Sequence, residues 1–171
     1  MWRSIMPNDL IYEERISSLR TEAVFVALAV LCLTLLAWRL FVSGYGTVAA
    51  LFLFLSMFFI FYASNYRVLV VRMSEEGLRL KFGLFGWTVP WHNVARAHPD
   101  DTSLWRIGGA GIHFTIIKGE YRAMLNFLEH PRIVIELEKK RGLVREVAFS
   151  TEKPNEILRI IEESIAGRDT A

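Results

Sequence analysis

The sequence predicts an α+β protein in two parts. An apolar two-helix hairpin crosses a membrane, and an antiparallel β domain of about seven strands with one C-terminal helix follows it. Three observations carry this. Residues 23–38 and 40–66 contain no Asp, Glu, Lys or Arg, although 22% of the chain is charged, so the apolar residues are concentrated in one region. From Arg67 onward, apolar residues recur with a period of two between turns rich in Gly, Pro and Asp. After Ser150 the apolar spacing changes to that of a helix.

The hairpin comes first. A helix rises about 1.5 Å per residue, so about 20 residues cross a hydrocarbon core of about 30 Å. Residues 23–42 reach that length with Arg39 snorkelling to the interface, and residues 47–65 reach it with no charge to accommodate. Between them "SGYGT", residues 43–47, supplies a tight reversal, because its glycines reach backbone angles other residues resist. Trp38 and Tyr45 fall where aromatic rings prefer to lie, at the boundary of lipid and water. A hairpin buried in a globular core is the competing reading, but the rest of the chain is too small to cover both helices. A secretory signal fits no better, since the first apolar run follows a polar-rich lead-in and a second span comes at once after it. Cys32 is the single cysteine and lies mid-span, which excludes a disulfide framework and a cysteine metal site.

Basic residues set the expected orientation. Arg3, Arg15 and Arg20 precede the first span, Arg67, Arg72, Arg79 and Lys81 follow the second, and only Arg39 lies near the turn. Positive charge stays on the cytoplasmic side, so both termini are expected there.

Residues 1–22 read as a cytoplasmic lead-in helix, capped by Asn8 or Asp9, with Leu10, Ile11, Ile16 and Leu19 on a partly apolar side. Residues 66–171 read as one β domain. Its expected strands are Arg67–Met73, 78–82, Trp87–Ala97 with Pro90 marking an edge or bulge, Trp105–Ile107 with Ile112–Lys118, Tyr121–Phe127, 133–138 and Leu143–Ser150. Ser150 or Thr151 then caps a helix whose Ile157, Leu158, Ile161 and Ile165 share one stripe that must be buried on the sheets.

Meander order, the segment "GLRLKFGLFGWTVPWHNVARA", the Gly-rich "GGAGIHF" and the closing "FSTEKPNEILRIIEESI" resemble the bacterial PH-like domains, over roughly residues 66–166. The specific marks are the apolar-Pro-Trp-x-x-Val element at Val89–Val94 and the Thr-x-x-Pro-x-x-Ile start of the last helix at Thr151–Ile157. The resemblance implies a PH-like antiparallel β-barrel or sandwich behind a two-helix membrane anchor, in the cell (inner) membrane. It implies no shared catalytic residue, and a fold of this kind does not by itself license lipid binding.

The residues offer little chemistry. "GGAGIHF" lacks the Gly-Lys-Ser/Thr ending of a phosphate loop, and Gly108, Gly109 and Gly111 read as a bulge or a close approach of strands. His92, His98, His113 and His130 lie on separate elements, and Asp100 and Asp101 beside His98 read as turn residues before they read as metal ligands. No nucleophile elbow is present. No catalytic, cofactor or metal residue is therefore assigned, and basic and acidic residues balance too closely for nucleic acid.

Two groups remain as candidate contacts. Leu84, Phe85 and Trp87 at the "GLFGW" tip, with Trp105 in the "HPDDTSLW" loop, are expected to point away from the bilayer and meet a protein partner. Arg67 and Arg72 near the membrane exit, with Lys139, Lys140 and Arg141 in one turn, are candidate contacts for anionic headgroups. The expected role is a binding or scaffolding module in a membrane protein complex, its partners other membrane proteins or a second copy. Sensing of anionic lipid is the alternative, and an enzyme with an unrecognised site the third.

Overall fold

Two long apolar helices stand on a pair of β-sheets, with a further helix against the sheets. The computed structural model describes residues 10–169, so the cap expected at Asn8 or Asp9 lies outside the described residues. The order is β1 (Leu10–Ser17), α1 (Leu19–Ser43), α2 (Thr47–Asn65), β2 (Val68–Ser74), β3 (Gly77–Phe82), β4 (Phe85–Pro90), a 3-10 turn at Trp91–Asn93, β5 (Val94–Pro99), α3 (Leu104–Ile107), β6 (Gly111–Ile117), β7 (Glu120–Asn126), β8 (Arg132–Arg141), β9 (Val144–Ser150) and α4 (Pro154–Asp169).

The helices α1 and α2 are long and apolar enough to cross a membrane, and they fall where the sequence put them. Their packing is unlike that of a water-soluble helical pair. The side chains buried along them are small or polar, Ala29 and Cys32 on α1 and Ala49 and Ser56 on α2, while Val30, Phe54 and Met57 stay exposed. Small side chains let two helix backbones approach closely, which is how helices associate where large apolar groups gain nothing by leaving the solvent.

The lead-in is a strand and not the expected helix. Along β1, Tyr12, Glu14 and Ile16 turn inward and Ile11, Glu13 and Arg15 turn outward, and antiparallel pairing with β2 (Ser17↔Val68, Glu13↔Arg72) satisfies its backbone. Of the apolar residues expected on one helix face only Ile16 is buried, alternating with Glu14 and Tyr12, and pairing with β2 selects that period of two. The helix begins only at Leu19, where the Ser18 hydroxyl accepts the Thr21 N–H at 3.0 Å. The chain therefore leaves the first sheet through α1 and returns to the adjacent strand through α2.

The first sheet is antiparallel in the order β1-β2-β3-β4. The second has the order β5-β8-β9-β7-β6, in which β7 and β9 run parallel. This corrects the expected meander of about seven strands: eight follow the hairpin, β1 precedes it, and the sheets are not closed into a barrel. Trp87–Ala97, expected as one strand, is two. Pro90 and the 3-10 turn after it form the corner where the chain passes from one sheet to the other. Trp105–Ile107, expected as a strand, is helical, because the Gly108 and Gly109 N–H groups close back onto the Leu104 carbonyl.

The main core lies between the sheets, from Leu69, Val71, Leu80, Phe82 and Trp87 on one side to Leu125, Phe127, Ile135, Val147 and Phe149 on the other. Ile157 and Ile161 bury the stripe of α4 against it as the spacing requires. A smaller cluster of Met124, Val134 and Ala148 under Ile107 covers the opposite face of the second sheet.

Candidate functional site

Everything that joins the hairpin to the sheets gathers around the last turns of α2. Antiparallel pairing sets Phe82 opposite Leu69, so the turn after β3 comes back to the end of α2. There Gly83 adopts φ +58°, and a Cβ on it would lie 2.2 Å from the Asn65 carbonyl oxygen. Only glycine fits. One turn earlier on α2, the Tyr62 hydroxyl donates to the Ile112 carbonyl at 3.1 Å, and its ring closes on Gly111 (φ +105°), whose Cβ would be 3.0 Å away. Gly111 thus serves a close approach, but to a helix, while Gly108 ends α3 in the left-handed conformation.

Aromatic rings continue the connection inward. Centroids are 4.9 Å apart for Phe25 and Tyr62, 4.4 Å for Tyr62 and Tyr66, 5.5 Å for Tyr66 and Phe82, and 5.0 Å for Phe82 and Phe127. Ring pairs at such spacings attract beyond their area burial. The chain runs from α1 to the centre of the sandwich. Around α1, the Thr21 hydroxyl accepts the Leu128 N–H at 3.2 Å, and the His130 ring meets the Ser17 carbonyl at 3.0 Å.

The tip residues divide. Leu84 is 76% exposed, but at the foot of α2, so the "GLFGW" tip does not point away from the hairpin as expected. Strand parity is the reason: β2 leaves the helix, β3 returns, and the turn after β3 lies at the helix. Phe85 is half-buried and stacks on Trp87 at 6.1 Å. Trp87 is a core residue, with the Arg141 guanidinium 4.9 Å above its ring. Trp105 is 97% exposed on α3. It too stands near the helix, because the Leu104 carbonyl binds Gly109, the Gly109 carbonyl accepts Asn126 Nδ2 at 2.9 Å, and Asn126 pairs with Gly111 beneath Tyr62.

The basic candidates divide as well. Arg67 lies at the end of α2 and donates to Glu22 at 3.1 Å, clamping the two helix bases together. Arg72 lies on the outer face of the first sheet and, with Arg15, grips Glu13 at 2.9 Å. Hydrogen bonds from Arg72 and Arg15 hold the Glu13 carboxyl below its ordinary range. Lys139, Lys140 and Arg141 sit at the other end of β8, roughly 25 Å along it at about 3.3 Å per residue. Lys140 pairs with Glu120 at 3.5 Å, and Arg141 donates to the Thr88 carbonyl at 3.0 Å. The two basic groups do not form one surface.

Sequence reasoning missed two buried polar constellations. Asp100 bonds Arg122 at 3.1 Å and Arg132 at 2.9 Å, and Arg122 also holds Glu146 at 2.6 Å. Arg132 further bonds the Thr102 carbonyl, while the Thr102 N–H donates to Asp100 at 3.1 Å. Burial pushes the Asp100 carboxyl up, but hydrogen bonds from Thr102 and Arg132 outweigh it and hold the group below its ordinary value. Two guanidinium and two carboxylate groups compensate each other and fix the loop that leads into α3. The second constellation is Glu14, whose carboxylate accepts the Thr151 hydroxyl at 2.7 Å and the Glu152 N–H at 2.8 Å, tying β1 to the start of α4. Burial, followed by the nearby Glu14 charge, raises the Tyr12 hydroxyl well above its usual range. The available clue was charged residues at inward positions of strands, at Glu14, Arg122 and Glu146.

The histidines do not converge. His98 meets Glu136 at 3.3 Å, His113 the Ile107 carbonyl, and His130 the Ser17 carbonyl. Among the described residues no group of three or more His, Cys, Asp or Glu is placed to hold a metal ion. No family model and no curated protein matches the chain.

Proposed function

We propose that the protein is a non-enzymatic binding or scaffolding module of a membrane protein complex. In this reading α1 and α2 span the cell (inner) membrane and both termini are cytoplasmic. The observation that carries it is the direct union of hairpin and sheet: α1 and α2 connect neighbouring paired strands, and one chain of rings passes from Phe25 to Phe127. A domain held this way cannot roam, and its partners are those that share its membrane. Kinship with the bacterial PH-like domains belongs to the same proposal. It is supported by two packed sheets with a C-terminal helix against them, and it must accommodate the parallel β7–β9 pair.

With Leu84 at the foot of α2, the side chains free to meet a protein lie elsewhere. Phe114 and Ile116 are 57% and 56% exposed on β6, the unpaired edge of the second sheet. An open edge carrying apolar side chains is a ready template for another chain. Anionic-lipid sensing is weaker on this geometry, because Arg67 is engaged with Glu22 and the 139–141 cluster lies at the far end of β8.

A photo-crosslinking residue at position 114, in intact membranes, should yield a discrete adduct with one membrane protein or with a second copy. The same residue at Glu152, exposed at the start of α4, should not. Identical patterns from both positions, or none, would remove the scaffold reading. Orientation is tested separately in a Cys32→Ala background. Tyr45→Cys, 74% exposed between the helices, should react with an impermeant thiol reagent in intact cells, and Leu143→Cys should not.

A further inference from the structure

We propose that Leu84 and Trp105 form a two-point apolar footing on which the β domain rests in the lipid bilayer itself. The inference rests on the reading of α1 and α2 as membrane spans and goes beyond it, because it assigns a bilayer contact to the sheets.

The β domain exposes Leu84 and Trp105 more fully than any other large apolar side chains on it, at 76% and 97%. Isolated apolar residues on a surface need no explanation, but these two share a location. Each is tied, through a glycine at the end of its loop, to the last turn and a half of α2. The Leu84 turn is fixed by Gly83 on the Asn65 carbonyl, and the Trp105 loop by Gly111 on Tyr62. Tyr62 lies about 4.5 Å below Asn65 along the helix axis, at 1.5 Å per residue. If α2 ends at the membrane surface near Asn65, the loop packed on Tyr62 lies at the depth of the headgroups and upper acyl chains. Leu84 is one residue from Gly83, and Trp105 follows Leu104, whose carbonyl holds Gly108 and Gly109.

The chemistry fits that depth. Tryptophan favours the boundary of lipid and water, where its ring is in the apolar phase and its N–H stays wet. Leucine at a turn tip gains by entering the acyl region and costs nothing to the fold, since it packs on nothing in the core. Arg106 beside Trp105 is exposed, as is Arg20 at the base of α1, which pairs with Glu129 at 3.2 Å, and both can remain among headgroups. Lipid is therefore the partner these side chains fit, in place of the protein partner their sequence first indicates. Two footings, one through the turn on Asn65 and one through the loop that ends at Gly111 on Tyr62, would prevent the domain from tilting about the helix pair.

The test uses the full-length Cys32→Ala protein in neutral phosphatidylcholine vesicles, so that headgroup charge plays no part. Single cysteines replace Leu84, Trp105, Phe54 and Leu143, each bearing an environment-sensitive fluorophore. Lipids brominated near the carbonyl should quench the labels at 84 and 105 and shift their emission to the blue, with no effect at 143. Lipids brominated at mid-chain should quench the label at 54. Quenching at 54 with none at 84 or 105, or at only one of them, would overturn the footing and leave the spans intact. Absence of quenching at 54 would overturn the spans, and the footing with them.

Discussion

The hairpin and the β domain solve the packing problem in opposite ways. The sandwich hides large apolar side chains between its sheets, with Phe82, Phe127 and Phe149 fully buried, and keeps most of its charged groups outside. The hairpin hides Ala29, Cys32, Ala49 and Ser56 and shows Phe54, Met57 and Val30. This is the contrast expected of one chain that meets two solvents. Where water surrounds the chain, burial of large apolar groups drives packing at about 25 cal/mol per Å². Where lipid surrounds a helix pair, that drive vanishes and close approach of small residues replaces it. The difference also explains the junction, where neither rule suffices and hydrogen bonds, a clamp of Arg67 on Glu22 and ring contacts hold the parts together.

The comparison breaks most visibly at buried against exposed phenylalanine. Phe127→Ala should cost about 3–5 kcal/mol of stability in detergent-solubilised protein, from lost burial and the cavity left between Phe82 and His130. Phe54→Ala should change it by no more than about 0.5 kcal/mol, because its ring packs on little. Denaturant unfolding followed by near-UV circular dichroism separates the two. An equal loss at Phe54 would mean that the outer face of α2 is covered by protein, and the hairpin would then obey the sandwich's rule.

Charge sharpens the same contrast, since the sandwich buries four ionised groups in one place. Asp100→Asn should cost about 3 kcal/mol, because it leaves Arg122 and Arg132 buried without their shared carboxylate. The sign of the pH dependence follows from the depressed carboxyl. Its contribution is present above the unfolded value near about 4 and is lost as pH falls through the lower folded value. Wild-type midpoints should therefore fall on acidification below about pH 4, and the Asp100→Asn midpoint should fall less. Parallel curves would show that the network carries no net stability.

Glycine at the junction comes next. Gly83→Ala should cost about 2 kcal/mol, since alanine must hold φ +58° and push against the Asn65 carbonyl. Gly46→Ala, between the helices, meets nothing within 4 Å at an extended φ and should cost a few tenths of a kcal/mol. Matching effects at the two glycines would detach the turn from the helix.

These tests concern features that were legible in the sequence to different degrees. The two spans, the strands around Val71, Leu80 and Ile135, and the stripe of α4 were set by local periodicity, and local periodicity is what one sequence displays. The corner at Trp91–Asn93 was half visible, because Pro90 marks a break without saying that the chain changes sheets. The parallel pairing of β7 with β9 depends on which strands meet across the fold, and no local pattern encodes it. β1 was ambiguous for the same reason, since its inward set of Tyr12, Glu14 and Ile16 is not apolar throughout and reads as a period of two only with β2 beside it. The position of Leu84 was available by counting strands from the end of α2, yet exposure alone drew attention to the wrong side. Asp100 reads locally as a turn residue, and its two arginine partners come from distant strands.

The smallest effect lies where the hairpin meets the β domain. Ser18 caps α1, its hydroxyl accepting the Thr21 N–H at 3.0 Å and donating to the Thr21 hydroxyl at 2.8 Å. That second hydroxyl in turn receives the Leu128 N–H at 3.2 Å, so cap and sheet share one short hydrogen-bond relay. Removing a serine cap costs about 1 kcal/mol. If the relay were only a helix cap, Ser18→Ala would fray the first turn of α1, and hydrogen exchange would quicken at Thr21 and Glu22 alone. As a joint between the parts, it should also quicken exchange at Leu128, because Thr21 loses the donor that orients its hydroxyl. Thr21→Val keeps the volume and removes the acceptor, so it should expose Leu128 while leaving the Ser18 cap on the Thr21 N–H in place. Unchanged exchange at Leu128 in both variants would mean that the hairpin and the β domain meet there without coupling, and that the ring contacts from Phe25 to Phe127 and the Tyr62–Ile112 bond join them instead.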